Sequence, residues 1–275
     1  MAWLNKILVP LDFSQRSPGV ARYAISLARH LHSGIILLHV RHTAHYEFAA
    51  LEGGLAAGEF YAAWSAQLQK ELETFLADEF HELPVERVML EGDPARKIVD
   101  YAHEEKIDLI VMPTHGYGPF RRFILGSVTA KILHDADCPV WTGVHLEEAP
   151  SVEATPIRNV VCAVDLGLQS LAALDWANKM AGSFNAKLIL AHAAPFPEAV
   201  GAAREDIDKL QQSAGTQAEV FIESGDAPVV VRGITEGCHG DLLVIGRSSA
   251  TGVFGRLRTN AYTIIRESPC PVVSV

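Results

Sequence analysis

Two stretches of the chain carry residues whose types and spacing suit ligand binding. The first is Asp12, which closes the apolar run Ile7–Leu11 and is followed by Phe13-Ser14. A carboxylate there can meet a sugar hydroxyl or a metal ion, or it can act as an N-cap or turn residue before a helix. The second runs from Pro113-Thr114-His115-Gly116 to Gly126-Ser127-Val128. Its glycines lack Cβ and let backbone N–H groups approach an anion closely. Gly126-Ser127 opens a helix whose periodicity resumes in Val128, Ile132 and Leu133, and a helix N-terminus favours phosphate. Ser127 either caps that helix or donates its hydroxyl to a phosphate. The plainer alternative is an ordinary Gly/Pro loop with a serine cap.

Other polar groups carry less. His39, His42 and His45 are close in sequence, and His42-x-x-His45 has a spacing that metals use. They lie at a strand end and in a loop with no acidic ligands nearby, so no metal site is expected. Arg121 and Arg122 can reach phosphates or simply be solvated.

These residues need elements to hold them. Ile7–Leu11, Ile35–Val40, Val85–Leu90, Leu109–Met112 and Pro139–Thr142 read as short buried strands. Between them, Val20, Ala24, Leu27, Ala28 and Leu31 form a helical stripe within Ser17–Leu31, and Phe60, Trp64, Leu68, Leu72 and Phe75 mark a second. Gly92-Asp93-Pro94 starts a further helix, with Asp93 as N-cap and Pro94 in the first turn. Alternation of this kind predicts a parallel sheet covered on both faces, doubly wound, with ligands beyond the carboxyl ends of its strands.

The pattern occurs twice. At an offset of 153, Ile7–Asp12 reappears as Val160–Asp165, Ser17 as Ser170, and Ile35–Val40 as Leu188–Ala193. The offset then falls to 133, where Gly92-Asp93 matches Gly225-Asp226 and Asp108–Met112 matches Asp241–Ile245. Each copy ends in Cys-Pro-Val, at Cys138 and at Cys270. The second copy lacks 20 residues from its middle, so Tyr46–Gly58 has no counterpart and is either a flap over the site or a longer connection. Glu147–Pro156 has linker composition, which sets the expected domains at 1–146 and 156–275.

A net charge of −10 argues against non-specific nucleic-acid binding. No apolar run reaches the roughly 18 residues of a membrane span, and the start of the chain does not read as a signal peptide. The four cysteines form no zinc-like spacing and fit reduced thiols, so a cytoplasmic location is expected.

With these residues in place, the chain resembles a tandem universal stress protein over nearly its whole length. That family's nucleotide-binding pattern is Gly, two residues, Gly, nine residues, then Gly-Ser or Gly-Thr. Gly116, nine residues and Gly126-Ser127 match it, while Pro113 stands in place of the first glycine. The resemblance implies two tandem doubly wound parallel five-stranded α/β sheets, Rossmann-like and adenine nucleotide alpha hydrolase-like. It implies ATP, with or without Mg, as ligand of the first copy. Pro10 and Asp12 would line the adenosine, Val40 would meet the adenine, and Gly116, Gly126, Ser127 and Val128 would hold ribose and phosphates. Pro113 lacks an N–H and fixes φ near −65°, which removes part of that contact.

In the second copy Gly246 keeps the first glycine, Ser249 replaces the second, and either Thr259-Asn260 or Arg258-Thr259 replaces Gly-Ser. That site reads as degenerate and empty. The implied role is a nucleotide-sensing regulatory protein of stress responses. A ligand-free interaction scaffold and a slow ATPase are the alternatives. The adenylating loop Ser-Gly-Gly-x-Asp-Ser, the His-Ile-Gly-His signature and a Walker loop are all absent from the sequence, and no catalytic residue is assigned. The short apolar final strands, exposed edges in a doubly wound sheet, are expected to join the two copies as an intramolecular pseudo-dimer. A homodimer of such units is open.

Overall fold

The computed structural model describes residues 3–42, 44–114, 125–143, 156–247 and 256–275, with the backbone alone at 44–57, 59 and 256–259. The first sequence copy gives β1 (Lys6–Leu11), α1 (Ser17–Leu31), β2 (Gly34–Arg41), α2 (Ala44–Thr74), β3 (Val85–Glu91), α3 (Pro94–Glu104), β4 (Leu109–Val111), α4 (Ser127–Asp135) and β5 (Val140–Thr142). The second gives β6 (Asn159–Ala163), α5 (Ser170–Phe184), β7 (Lys187–Ala194), α6 (Val200–Ala214), β8 (Glu219–Ser224), α7 (Ala227–Gly237), β9 (Leu242–Ile245), α8 (Arg256–Glu267) and β10 (Val272–Ser274). The expected linker, from Glu147 to residue 155, lies outside the described residues, as do Gly116, Arg121, Arg122 and Ser249.

The described chain forms two compact units. One comprises residues 3–114 and 126–138; the other comprises 125, 139–143, 156–247 and 256–275. In the first, the strands run in the order β3-β2-β1-β4, all parallel. In the second the order is β5-β10-β9-β6-β7-β8, parallel except for β5. Strand order reverses at β1 and again at β6, which is the doubly wound, Rossmann-like α/β arrangement.

The strands hold this position because both faces are covered. Ile7, Leu8 and Val9 of β1 and Leu242, Leu243 and Val244 of β9 have no exposed surface, which is why they read as continuous apolar runs rather than alternating ones. The central strands are also tied at their amino ends. Asp108 Oδ2 accepts the N–H groups of Asn5 (2.7 Å) and Lys6 (2.9 Å). Asp241 Oδ2 does the same for Arg158 (2.8 Å) and Asn159 (2.9 Å). A charged acceptor thus satisfies the strand donors that lie beyond the parallel ladder.

The helices follow the sequence pattern with one extension. α1 ends at His32, whose left-handed backbone (φ 58°) closes the helix through its N–H on Ala28. α2 starts at Ala44 and not near Phe60, so the segment Tyr46–Gly58, read from the sequence as a flap or a longer connection, is helical. Its run Ala49-Ala50-Leu51-Glu52-Gly53-Gly54-Leu55-Ala56-Ala57-Gly58 has no clean apolar stripe, which hid the helix from a periodicity reading. Among the described residues, no helix is long and apolar enough to cross a membrane.

The two final strands pair with each other. β5 is antiparallel to β10, with Thr142 opposite Val272, Trp141 opposite Val273 and Val140 opposite Ser274. β5 therefore belongs to the compact unit built mainly from the second copy. Trp141 is fully buried there, its ring 6.3 Å from that of Trp176 at 68°, an edge-to-face contact. Truncating Trp141→Ala should cost about 3–5 kcal/mol of stability, the usual loss for a buried aromatic. Urea denaturation followed by circular dichroism checks this, and a loss below about 1 kcal/mol would remove Trp141 from the core it is assigned to.

Candidate functional site

In the first unit the parallel ladder between β1 and β4 is short. It contains Ile7 with Leu109 and Leu8 with Ile110. The equivalent ladder in the second unit is two pairs longer, continuing through Cys162 with Val244 and Ala163 with Ile245. Pro10 occupies the position of Ala163 and has no N–H to extend the ladder. The ladder ends at Leu8 with Ile110, and a cavity of about 360 Å³ lies at the carboxyl ends of the two strands. This is the topological switch point of the sheet.

The cavity collects most of the residues singled out from the sequence. Pro10, Asp12, Val40, Pro113, Gly126, Ser127 and Val128 all line it. Gly116 lies outside the described residues. His39, Ile98, Met112 and Thr129 line the cavity too and were not assigned to it from the sequence. One signal was present: His39 recurs as His192 at the repeat offset.

Asp12 is a turn residue with an oxygen to spare. Its Oδ1 accepts the Ser14 N–H and the Ser17 hydroxyl, both at 2.9 Å. The N-cap position of α1 belongs to Arg16, so Asp12 is not the helix cap. Among the described residues Oδ2 takes no hydrogen bond. The turn requires Phe13 to adopt φ 56°, and its ring stacks 4.6 Å from that of His39. His39 Nδ1 lies 2.8 Å from the Leu11 carbonyl. A carbonyl only accepts, so Nδ1 carries the proton. Burial pushes the His39 pKa down, against the opposing pull of the Leu11 carbonyl, Asp12 and Glu71. Burial thus favours the neutral form of the ring.

The far wall is the start of α4. Gly126 is the N-cap, in extended conformation (φ −61°, ψ 147°), and Ser127 is the first helical residue. Ser127 therefore does not cap the helix, and no side chain does. The Ala130 N–H bonds to the Gly126 carbonyl at 2.8 Å, which leaves the N–H groups of Ser127, Val128 and Thr129 without an intrahelical acceptor. Thr129 donates its hydroxyl to the Pro113 carbonyl (3.2 Å), and the Gly126 N–H donates to the Thr114 carbonyl (2.9 Å). These bonds fix the helix start against the end of β4. Among the described residues the arrangement offers the free oxygen of Asp12, the uncapped helix start at Ser127, the Asp93-capped start at Pro94, and apolar walls from Ile98 and Met112.

The second unit repeats the geometry with changes. Asp165 Oδ1 accepts the Gly167 N–H and the Ser170 hydroxyl, both at 2.9 Å. Leu166 adopts φ 60°, and His192 Nδ1 meets the Val164 carbonyl at 2.8 Å. The helices fix the alignment that the sequence left open. The spacing from β5 to β10 is 132 positions, and buried Leu133 and Ile265 share that spacing, so Ser127 corresponds to Thr259. α8, however, starts at Arg256, a turn earlier than α4.

Three comparisons with known proteins bear on this geometry. The family model described as "Universal stress protein family" matches residues 4–142 and again 156–275. A universal stress protein of Methanocaldococcus jannaschii is 32% identical over 137 residues, which cover 50% of this chain and 79% of that protein. The universal stress protein YxiE of Bacillus subtilis is 28% identical over 142 residues, covering 50% of this chain and 96% of that protein. The crystal structure of a universal stress protein from Archaeoglobus fulgidus shares the fold with a TM-score of 0.78 at 22% identity, covering 99% of this chain and 98% of that one.

The cavity wall supplied by α3 depends on its cap. Asp93 Oδ1 accepts the Arg96 N–H (2.8 Å) and meets Lys131 Nζ of α4 at 3.2 Å. The backbone bond first, and Lys131 second, hold the Asp93 carboxyl below its ordinary value. A depressed carboxylate stabilises the fold above its unfolded pKa and loses that contribution as pH falls through the folded one. Asp93→Ala should therefore cost about 1 kcal/mol at pH 7, with the deficit shrinking below about pH 3.9. Asp226, the N-cap of α7, makes no such side-chain bond, so Asp226→Ala should cost less. Paired thermal melts at pH 7 and pH 3 decide both points.

Proposed function

We propose that this chain, which belongs to the universal stress protein family, binds an adenine nucleotide in the cavity of its first unit and acts as a nucleotide-sensing regulatory protein. The observation that carries the reading is the meeting of Asp12 and the open start of α4 across one cavity at the switch point of the sheet. Base and ribose need an apolar cleft with a hydroxyl acceptor, and Ile98, Met112 and Asp12 Oδ2 supply these. Phosphates need donors without a competing acceptor, and the N–H groups of Ser127, Val128 and Thr129 supply them at the positive end of the α4 dipole. Val40, at the end of β2, would face the adenine. The volume of about 360 Å³ falls within the roughly 300–1,000 Å³ of small-molecule sites.

ATP is the ligand this reading favours. A magnesium ion carried with it would find Asp12 Oδ2 as its protein oxygen. Pro113 offers only its carbonyl, which Thr129 already uses, so the chain grips the phosphates from the α4 side. A cavity with one carboxylate and a neutral histidine suits binding and sensing better than rapid turnover.

Isothermal titration calorimetry with ATP tests the reading. Gly126 has a φ that any residue adopts, so Gly126→Val should leave the fold intact while placing a branched side chain at the helix start, and ATP binding should be abolished. Asp12→Ala should weaken binding by at least about tenfold, the loss typical of a charged hydrogen bond. Thr259→Val in the second unit should change nothing. No heat of binding at millimolar ATP would return the chain to the scaffold reading.

A further inference from the structure

The second unit keeps half of the site. Its cavity is lined by Ala163, Val164, Asp165, His192, Ala193 and Gly246, with Ala227, Val231, Asn260 and Ala261 on the helices. Position by position these replace Pro10, Leu11, Asp12, His39, Val40 and Pro113, then Pro94, Ile98, Val128 and Thr129. The part built around the carboxylate is unchanged in form. Asp165 makes the same two hydrogen bonds as Asp12, through Oδ1 alone, and among the described residues its Oδ2 has no partner.

The anion end is different. Thr259, Asn260 and Ala261 stand where Ser127, Val128 and Thr129 stand in α4. Because α8 begins at Arg256, the N–H groups of Asn260 and Ala261 fall inside the helix and are taken up by carbonyls four residues earlier. The positive end of the dipole sits a turn away. Asn260 brings a polar amide to the cavity wall where the first unit has Val128. The volume is about 180 Å³, half that of the first cavity and below the usual range for drug-sized ligands.

We propose that the second cavity is not a dead copy but a site for an uncharged nucleoside, selective against its phosphorylated forms. This rests on the reading of the first cavity for where base and ribose lie. The base enters between Ala193, Val231 and Ile264 with the Asn260 amide beside it. A ribose hydroxyl donates to Asp165 Oδ2. A phosphate would meet that carboxylate without the free helix donors that balance Asp12 in the first unit. The first unit then accepts phosphorylated and unphosphorylated forms of one metabolite class, and the second only the unphosphorylated form.

Titration calorimetry of the full chain with adenosine, and separately with ATP, tests this. Two adenosine sites and one ATP site per chain are expected. Asp165→Asn preserves the Oδ1 acceptor of the turn but replaces Oδ2 with a donor, and should weaken the second adenosine event about tenfold or more while ATP binding is unchanged. Ala261→Leu, a favourable helix substitution that fills the cavity, should eliminate that event. No adenosine event that depends on Asp165, two equivalent ATP sites, or a second adenosine event that survives Ala261→Leu would each overturn the proposal. Loss of ATP binding alone, with an Asp165-dependent adenosine site retained, would overturn the ATP reading and leave this one standing.

Discussion

Where β1 parts from β4 decides most of what the first unit can do. In a parallel ladder every second residue turns its donor and acceptor to a given neighbour, and Pro10, which shares the β4-facing parity of Lys6, brings no donor there. The ladder therefore stops after Leu8 and Ile110. The opening below is walled by two helix starts, at Pro94 and at Ser127, since each crossover must return over the end of the sheet. In the second unit Ala163 lets the ladder run on to Ile245, and the cavity is half as large. The two copies thus differ at this strand end as well as at the helix start that faces it.

The feature common to both copies is the aspartate turn. Asp12 and Asp165 each bind a backbone N–H two residues on and a serine hydroxyl five residues on. Each turn forces a bulky residue, Phe13 or Leu166, into the left-handed region. A non-glycine residue held there costs of order 1 kcal/mol or more, and the carboxylate's two bonds offset it. The turn leaves the second carboxylate oxygen uncommitted at the rim of a cavity. Structural and ligand-binding roles of this aspartate therefore do not exclude each other, because they use different atoms.

Much of this was legible from residue order. Continuous apolar runs such as Ile7–Leu11 and Leu242–Ile245 gave away strands buried on both faces, and the offset repeat gave away the duplication. Asp93-Pro94 fixed the start of α3 to the residue. What escaped were features set by backbone hydrogen bonding across distance. The spacing of Thr259 gave no sign that α8 begins a turn early, since Ser249, Thr251, Gly252, Gly255 and Thr259 each offer a cap and periodicity singles out none of them. Thr129 joined the cavity through a bond to Pro113, sixteen positions away, which no periodicity shows. The start of α2 was invisible because the alanines around Leu55 give helix without a stripe, and Gly53, Gly54 and Gly58 read as breakers.

The pairing of β5 with β10 has a consequence for how the chain is made. On a ribosome adding 5–20 residues per second, the 132 positions between Val140 and Val272 take roughly 7–26 s to synthesise. For that interval the nascent β5 has no β10 to join, and Trp141 has no finished core to enter. The donors and acceptors on its β10 side lack their partners until then. Three residues make a short edge, and short edges are a known protection against mispairing. The length of β5 is thus suited to a strand that must be made early and wait.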